Sequence, residues 1–417
     1  MATTPSTTLP SVTAPANIPP REVGPKIVNH TRHFKDENTG REIRQLTHLP
    51  DGVMLDYFRL YKQCPDGRMM IRGKHEQGNI ILLDPGSGDL ELLPWSFYPL
   101  KMRESDGRVW FLRYLPKAEK DNLPACPHEL WHIDLPHGIP VKEADLPDFR
   151  PLRVDDITID GSHLILREAN QDLEKFPLPT VKDPNVINHY FSRPRHGSLV
   201  AYHLASGRQT LLCTTQGLCP LHVDTSPINA DLVRYCRDMP DALGQRIWTV
   251  RTDGSDNHPI RLQEYGEMTT HEFWWADGRH IGYTYQDRRQ DPNLETFHWA
   301  EYSPATTHLG IADLAGREVY CSDPLNSYHV HLYRSDDGRF VSGEGTDGNS
   351  FVRAARFDWK STRLDMVALA TIHTPYVPFR GQKVECNFSA DSRRLIFTDR
   401  PIPSQPFQLF DVEVDLD

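Results

Sequence analysis

The chain has 417 residues and a formal net charge of −11, from 46 Lys and Arg against 57 Asp and Glu. This balance argues against nucleic acid as a main partner, because phosphate binding needs a dense basic surface. With 38% hydrophobic and 25% charged residues, the composition is typical of a globular protein with a large core. No apolar stretch approaches the roughly 18 residues of a membrane span, and no signal peptide is evident. We therefore expect a cytoplasmic protein without a membrane partner.

The beginning of the chain differs in composition from the rest. Residues 1–22 are rich in Thr, Pro and Ala and carry almost no charge. Such a segment buries too little apolar surface to offset the entropy cost of ordering, so we predict a disordered tail. The remaining residues, 23–417, are predicted to form one domain.

Within that domain a short pattern recurs: a strand, an Asp-Gly-type turn, an apolar strand, a variable loop and a further strand pair. The turns recur at a mean step of about 54 residues, which is in the range of propeller blades. Seven copies can be counted, and their turns are marked by Asp66, Asp106, Asp160, Asn229, Asp277, Asp337 and Asp391.

The repeats predict an all-β, seven-bladed β-propeller, because stacking sheets radially buries both apolar faces of each sheet and leaves only short edges. The segment 39–47 reads as a strand left over before the first blade, whereas the last blade is one strand short. We expect this N-terminal strand to close the ring by pairing with the C-terminal strands. Two unrelated β-sandwich domains are the alternative. They would need a boundary linker, and the only long irregular stretch, 169–196, falls inside a repeat.

Polar residues gather on the predicted innermost strands, whose starts meet at one mouth of the central channel. They include four histidines from three blades: His222, His271, His329 and His331. One interpretation is a wide channel lined by water-bridged polar residues. The other is a site that combines an imidazole for proton transfer, an arginine for an anionic group and a set of metal ligands.

One segment resembles a known family. The sequence GEMTTHEFW at 266–274, followed by ADG at 276–278, is similar to the GExxTHEFWxPDG segment of the oligogalacturonate lyases, the propeller-fold polysaccharide lyases of family 22 that degrade pectin. Arg246 precedes His271 by 25 residues, as an arginine does in the family. The resemblance extends from about residue 37 to the end through collinear motifs, including TGREIRQLT, YFRLYKQCPDGR and HYFSRPRHGSLVAYHLASG.

The resemblance implies catalytic and metal-binding residues. It makes His271 the base and Arg246 its companion. It also implies a divalent metal bound by His331, Gln382, Glu385 and Asn387, where Glu385 and Asn387 replace two family histidines. Oxygen ligands favour a hard cation, so Ca²⁺ joins Mn²⁺ as a candidate. Loss of the metal, with Glu385 and Asn387 binding sugar hydroxyls, is the alternative, and His329 is a possible substitute ligand.

The implied reaction is β-elimination at a uronate glycosidic bond, which gives a 4,5-unsaturated uronate. Tyr57, His222 or a water would protonate or solvate the leaving oxygen. Arg193 and Arg195 would hold a second carboxylate or the non-reducing sugar, and ordinary surface charge is the alternative for both. The first-choice partner is an oligogalacturonide. A rhamnosyl-glucuronate or another glucuronate linkage is the alternative, as is a non-catalytic propeller that binds carbohydrate or protein. We expect a monomer or a weak homo-oligomer.

Overall fold

The computed structural model of this protein is a β-propeller of seven antiparallel sheets. The structure describes residues 26–55, 62–73, 79–96, 98–114, 126–135, 138–169, 196–216, 219–238, 245–290, 306–327, 329–345, 351–374, 385–402 and 404–416. Every regular element in these ranges is a β-strand. Within these ranges the protein has no helix that is long and apolar enough to cross a membrane. The predicted tail, 1–22, lies outside them.

The N-terminal half of the described chain builds the first four blades. Three short strands come first: β1 (Lys26–Ile27), β2 (Arg32–Lys35) and β3 (Glu42–Gln45). Blade 1 contains β4 (Val53–Met54), β5 (Lys62–Gln63), β6 (Met69–Gly73), β7 (Asn79–Leu83) and β8 (Leu90–Ser96). Blade 2 contains β9 (Tyr98–Arg103), β10 (Arg108–Tyr114), β11 (Pro127–Asp134) and β12 (Val141–Asp145). Blade 3 contains β13 (Arg153–Ile157), β14 (His163–Ala169), β15 (His196–His203) and β16 (Gln209–Gln216). Blade 4 contains β17 (Cys219–Thr225), β18 (Leu232–Asp238), β19 (Ile247–Arg251) and β20 (His258–Pro259).

The C-terminal half builds the last three blades. Blade 5 contains β21 (Glu267–Trp274), β22 (His280–Asp287), β23 (Thr306–Asp313) and β24 (Glu318–Cys321). Blade 6 contains β25 (His329–Arg334), β26 (Phe340–Gly345), β27 (Phe351–Arg356) and β28 (Val367–Thr371). Blade 7 begins with β29 (Cys386–Phe388), β30 (Arg394–Asp399) and β31 (Gln408–Glu413).

The ring closes as predicted, through an N-terminal strand. β3 pairs with β31 in blade 7, with Ile43 opposite Val412, and thereby supplies the strand that the last repeat lacks. Two features go beyond the prediction. β2 adds a fifth strand outside β3, and β1 pairs with β8 at the outer edge of blade 1. The N-terminal segment therefore contacts both blades that flank the closure.

The seven turn residues that marked the repeats share one local geometry. Each side chain accepts a hydrogen bond from the backbone N–H two residues later, at 2.8 to 3.2 Å. Asp and Asn favour such turns because their short side chains hydrogen-bond the nearby backbone. The glycine that follows often has a left-handed conformation, as at Gly107, where φ is 72°. The repeated turn is thus a consequence of side-chain chemistry.

The hydrophobic core lies between the blades. Buried apolar side chains form seven clusters in the described part of the chain, and each cluster joins two neighbouring sheets. The cluster between blades 7 and 1, for example, joins Leu409 and Ile396 with Val53 and Ile71. Because each sheet buries both faces in this way, the arrangement leaves the axis to polar side chains.

Candidate active site

The innermost strands of blades 4, 5 and 6 are interrupted at equivalent positions. Their pairing shifts between Leu221 and Asp224, between Thr270 and Phe273, and between His329 and Leu332. Such bulges re-aim side chains next to functional sites. The residues inside the three interruptions are His222 and Val223, His271 and Glu272, and Val330 and His331.

His271 lies against His331 of the next blade. The two ring centroids are 4.0 Å apart in an edge-to-face arrangement, and the hydroxyl of Thr270 lies 3.2 Å from Nδ1 of His271. His331 contacts Glu344 on the neighbouring strand, because its Nδ1 donates to Oε1 and its backbone N–H donates to the same oxygen at 3.1 Å. The side chains of His271, His331 and Glu344 are all buried. The His271 imidazole is therefore held in a fixed position.

Glu272 is the centre of a second set of contacts. His222 Nδ1 lies 3.1 Å from its Oε1, Arg234 Nη1 lies 3.2 Å from the same oxygen, and Arg246 Nε lies 3.4 Å from Oε2. Burial alone would raise the pKa of the Glu272 carboxyl, but Arg246, His222 and Arg234 together hold it well below its ordinary value. Glu272 is therefore a carboxylate even though it is fully buried.

The ion pairs continue along the channel from Arg234. Arg234 Nη2 lies 2.9 Å from Asp224 Oδ2, and Lys101 Nζ lies 3.4 Å from Asp224 Oδ1 and 3.0 Å from Asp156 Oδ2. Lys101 also donates to the hydroxyl of Thr225 at 2.6 Å. With Arg246 and Glu272, the network joins three cations to three carboxylates, so its formal charge is balanced. Lys101 and Asp224 also line a cavity of about 290 Å³ at the other end of the inner strands.

The structure describes only some of the predicted site residues. Tyr57, Arg193, Arg195 and Gln382 lie outside the described residues. His329 is the first residue of β25, and the bulge follows it. Four of the described residues are connected by contacts: His222 and Arg246 both contact Glu272, the chain neighbour of His271, and His271 packs against His331. Glu385 and Asn387 belong to the next blade, blade 7.

Asn387 and Glu385 lie at the inner strand of blade 7, next to blade 6. Asn387 is buried, and its Oδ1 accepts the backbone N–H of Phe388 at 3.0 Å. Glu385 is half-buried and immediately precedes β29. Nδ1 of His331 bonds to a carboxylate, which leaves Nε2 as the nitrogen with the lone pair that a metal ligand needs. The donor chemistry of this set therefore fits a divalent cation.

A second group of ligand-type atoms occurs at the same mouth. The ligand atoms of His222, Cys236 and Glu272 all lie within 4.8 Å of one another. This spacing suits a shared metal ion, but Arg234 and Arg246 already contact the only carboxylate of the group. Two guanidinium groups at this distance oppose a further cation. The charge network therefore accounts for the contacts of this cluster.

Sequence reasoning missed four residues of the site: Lys101, Asp156, Arg234 and Glu344. A signal existed for two of them, because Lys101 and Arg234 each stand between two apolar residues, Leu100 and Met102 or Val233 and Tyr235, which are all buried. A charged residue at such a position is rarely buried unless it is paired. Glu344 had no such signal, since only the fold shows that it contacts His331.

Comparisons with known proteins support the resemblance. No model of a known protein family matches the chain. An oligogalacturonide lyase from Pectobacterium atrosepticum is 23% identical over 332 residues, which are 75% of each chain. An oligogalacturonate lyase from Dickeya dadantii is 23% identical over 268 residues, covering 60% of this chain and 62% of that protein. This chain is a distant relative of the oligogalacturonate lyases.

Solved structures of oligogalacturonate lyases share the fold. One, in complex with manganese, has a TM-score of 0.69 at 19% identity and covers 94% of this chain and 98% of that one. Another, from Vibrio parahaemolyticus, has a TM-score of 0.70 at 17% identity and covers 94% and 99%. The likeness to these oligogalacturonate lyases thus spans nearly the whole propeller.

Proposed function

We propose that this protein cleaves a uronate glycosidic bond by β-elimination and releases a 4,5-unsaturated uronate, with an oligogalacturonide as the first-choice substrate. The observation that carries the proposal is the buried imidazole of His271, packed against His331 on the inner strands of a fold shared with oligogalacturonate lyases. The two distant sequence relatives, an oligogalacturonide lyase and an oligogalacturonate lyase, also support this proposal.

The reaction begins with removal of the proton at C5, next to the substrate carboxylate. We assign this step to His271, because a neutral imidazole accepts a proton near neutral pH. The difficulty of the step is the negative charge that builds on an already anionic group. A fixed positive group near that carboxylate lowers the barrier by stabilising charge as it develops. Arg246 is the proposed protein group for this task, since its guanidinium lies beside Glu272, the chain neighbour of His271.

We propose that His331 and Asn387, together with Gln382 and Glu385, hold a divalent cation, Ca²⁺ or Mn²⁺. Such a cation supplies a Lewis acid for the substrate carboxylate. Glu344 would orient His331 through Nδ1, and His331 in turn packs against His271. The protein thereby places the base beside the cation site without a direct bond between them.

The proposal is tested by the ultraviolet absorbance of the conjugated product when purified protein meets oligogalacturonides. We expect absorbance to rise with the wild type and with His280→Ala, whose imidazole is bound to Asp277 in a surface turn. We expect no rise with His271→Ala. A parallel sample with chelator, followed by return of Mn²⁺ or Ca²⁺, tests the cation.

The outcomes separate the alternatives. Activity on rhamnosyl-glucuronate and not on oligogalacturonides would keep the elimination and change the substrate, as the replaced ligands Glu385 and Asn387 suggest for a diverged site. Absence of product from every uronate, with oligosaccharide binding retained, would refute the lyase and favour a binding propeller.

A further inference from the structure

We propose that His222 is the second catalytic residue of this site and donates the proton that the leaving O4 requires. This inference rests on the proposed lyase function and adds to it the identity of the acid. Sequence alone left Tyr57, His222 and water as equal candidates. The structure favours His222 through its backbone, its bonded partner and its position beside the base.

The backbone of His222 repeats that of His271. His222 has a φ of 46° and His271 a φ of 49°. Each is the first residue after the last regular pair of its strand, at the start of the bulge. Only four non-glycine residues of the described chain have positive φ, and the other two, Asp256 and Ser392, lie in the connections between strands. A left-handed histidine is a strained conformation that persists where the surroundings impose it, typically at functional sites. Blades 4 and 5 thus each present a histidine in the same strained backbone conformation.

The partner of His222 orients its ring for proton donation. Nδ1–H donates to Oε1 of Glu272 at 3.1 Å, so Nε2 is the nitrogen that we assign to proton transfer. Arg234 and Arg246 keep Glu272 ionised, so its carboxylate accepts the hydrogen bond from His222. The His222 side chain is 33% exposed, whereas that of Glu272 is fully buried. Glu272 is therefore a positioning residue, and His222 is the group that substrate can touch.

The two imidazoles suit the stereochemistry of the proposed substrate. In a 4-linked galacturonide the C5 hydrogen and O4 lie on opposite faces of the sugar ring, so one side chain cannot serve both. His271 leans toward blade 6, where it contacts His331, whereas Glu272 extends toward blade 4, where it contacts His222. The base and the acid therefore approach from neighbouring blades with Glu272 between them.

The step balances without any further reactant. His271 takes the C5 proton, and the electron pair of the C5–H bond forms the C4–C5 double bond. The C4–O4 bond breaks, and O4 receives the proton from Nε2 of His222. His271 leaves the step protonated and His222 neutral, and exchange with water restores both.

The test compares two leaving groups. The probes are digalacturonate, whose leaving group is a sugar hydroxyl, and a galacturonate that carries 4-nitrophenol at O4, whose leaving group departs without protonation. For His222→Gln we expect a loss in kcat of about 100- to 10,000-fold on digalacturonate, the range of one general acid. On the nitrophenyl substrate we expect a loss of less than about tenfold, because protonation is no longer needed.

Two control variants isolate the role of the imidazole. Glu272→Gln keeps the shape of the partner and should show the same selective loss to a smaller degree. His308→Gln, which replaces a histidine on β23 bonded to the backbone of Ser322, should act as the wild type does on both probes.

The outcomes separate this inference from the function beneath it. Equal losses on both probes, or none on either, with an active wild type, would overturn the role of His222 and leave the lyase intact. A wild type that is inactive on both probes would refute the lyase itself. Selective loss on digalacturonate supports the assignment, since a merely structural role would lower both rates alike.

Discussion

Removal of the buried Arg234 tests the charge network that surrounds the site. Its side chain is 1% exposed and contacts Asp224 at 2.9 Å and Glu272 at 3.2 Å. Burial lowers the pKa of its guanidinium, but the two carboxylates raise it above the usual value, so the group is charged. Arg234→Met keeps much of the side-chain volume and leaves three carboxylates facing two cations.

We expect Arg234→Met to lower the free energy of unfolding by about 3–5 kcal/mol, which is the cost of leaving a buried charge without its partner. Water cannot take the place of the guanidinium at this depth. The double variant Arg234→Met/Asp224→Asn restores two cations against two carboxylates. It should recover about 1–3 kcal/mol relative to the sum of the single changes.

Urea unfolding followed by the fluorescence of the eight tryptophans measures these differences. Arg339→Met is the matched control, because Arg339 pairs with Asp337 at 2.6 Å but is 60% exposed, and such a pair contributes about 0–1 kcal/mol. A loss of less than about 1 kcal/mol for Arg234→Met, or no recovery in the double variant, would refute this account of the network.

Three further predictions follow from single contacts. Glu344→Gln should weaken the binding of Mn²⁺ or Ca²⁺ by about 10- to 100-fold in calorimetry, because it removes the carboxylate that orients a metal-ligating imidazole. The Asp399 carboxylate raises the pKa of His373, so His373→Gln should remove a stabilisation of up to about 0.5 kcal/mol that is present below about pH 6 and lost as pH rises through the raised pKa. Gly310→Ala should cost about 1–3 kcal/mol in urea unfolding, because the new methyl would lie 2.1 Å from the ring of Tyr283.

Each of these changes has a matched control. Glu143→Gln, on the outer strand of blade 2, removes a carboxylate that lies 2.6 Å from Nδ1 of another histidine, His132, and should leave metal affinity unchanged. For His373→Gln, the difference from wild type should vanish near pH 9, and a difference that persists there would exclude titration as its cause. Gly86→Ala meets only the side-chain oxygen of Asp84 and should cost far less than Gly310→Ala.

Much of the fold followed from local sequence chemistry. The turn residues that marked the repeats, such as Asp106 and Asp277, carried their own geometry because an Asp side chain bonds the backbone two residues later. The closing strand was predictable because the last repeat lacked a strand and the segment 39–47 formed a strand outside any repeat. The extra edge strands β1 and β2 were not, since short exposed strands carry no periodic pattern long enough to recognise.

The site was less accessible to sequence reasoning. His271 and His331 could be assigned to one mouth because inner strands converge, but their ring contact depends on bulges that shift the alternation of side chains. A one-residue shift moves every following side chain to the other face, and apolar periodicity does not reveal it. Glu344 illustrates the rest, since its partner is set by how β26 pairs with β25.

The pairing of β3 with β31 also governs how the chain can fold. Ile43 pairs with Val412, so the ring is completed by a contact between residues that lie far apart along the chain. Long-range contacts of this kind slow folding because the loop entropy is lost before the contact forms. Blades 1 to 6 can assemble during synthesis, but the edge of β3 and the apolar face of blade 6 stay uncovered until blade 7 has been made. Aggregation through this edge and this face is therefore a hazard of its biosynthesis, and a chaperone or a slower translation rate would act at the step in which blade 7 closes the ring.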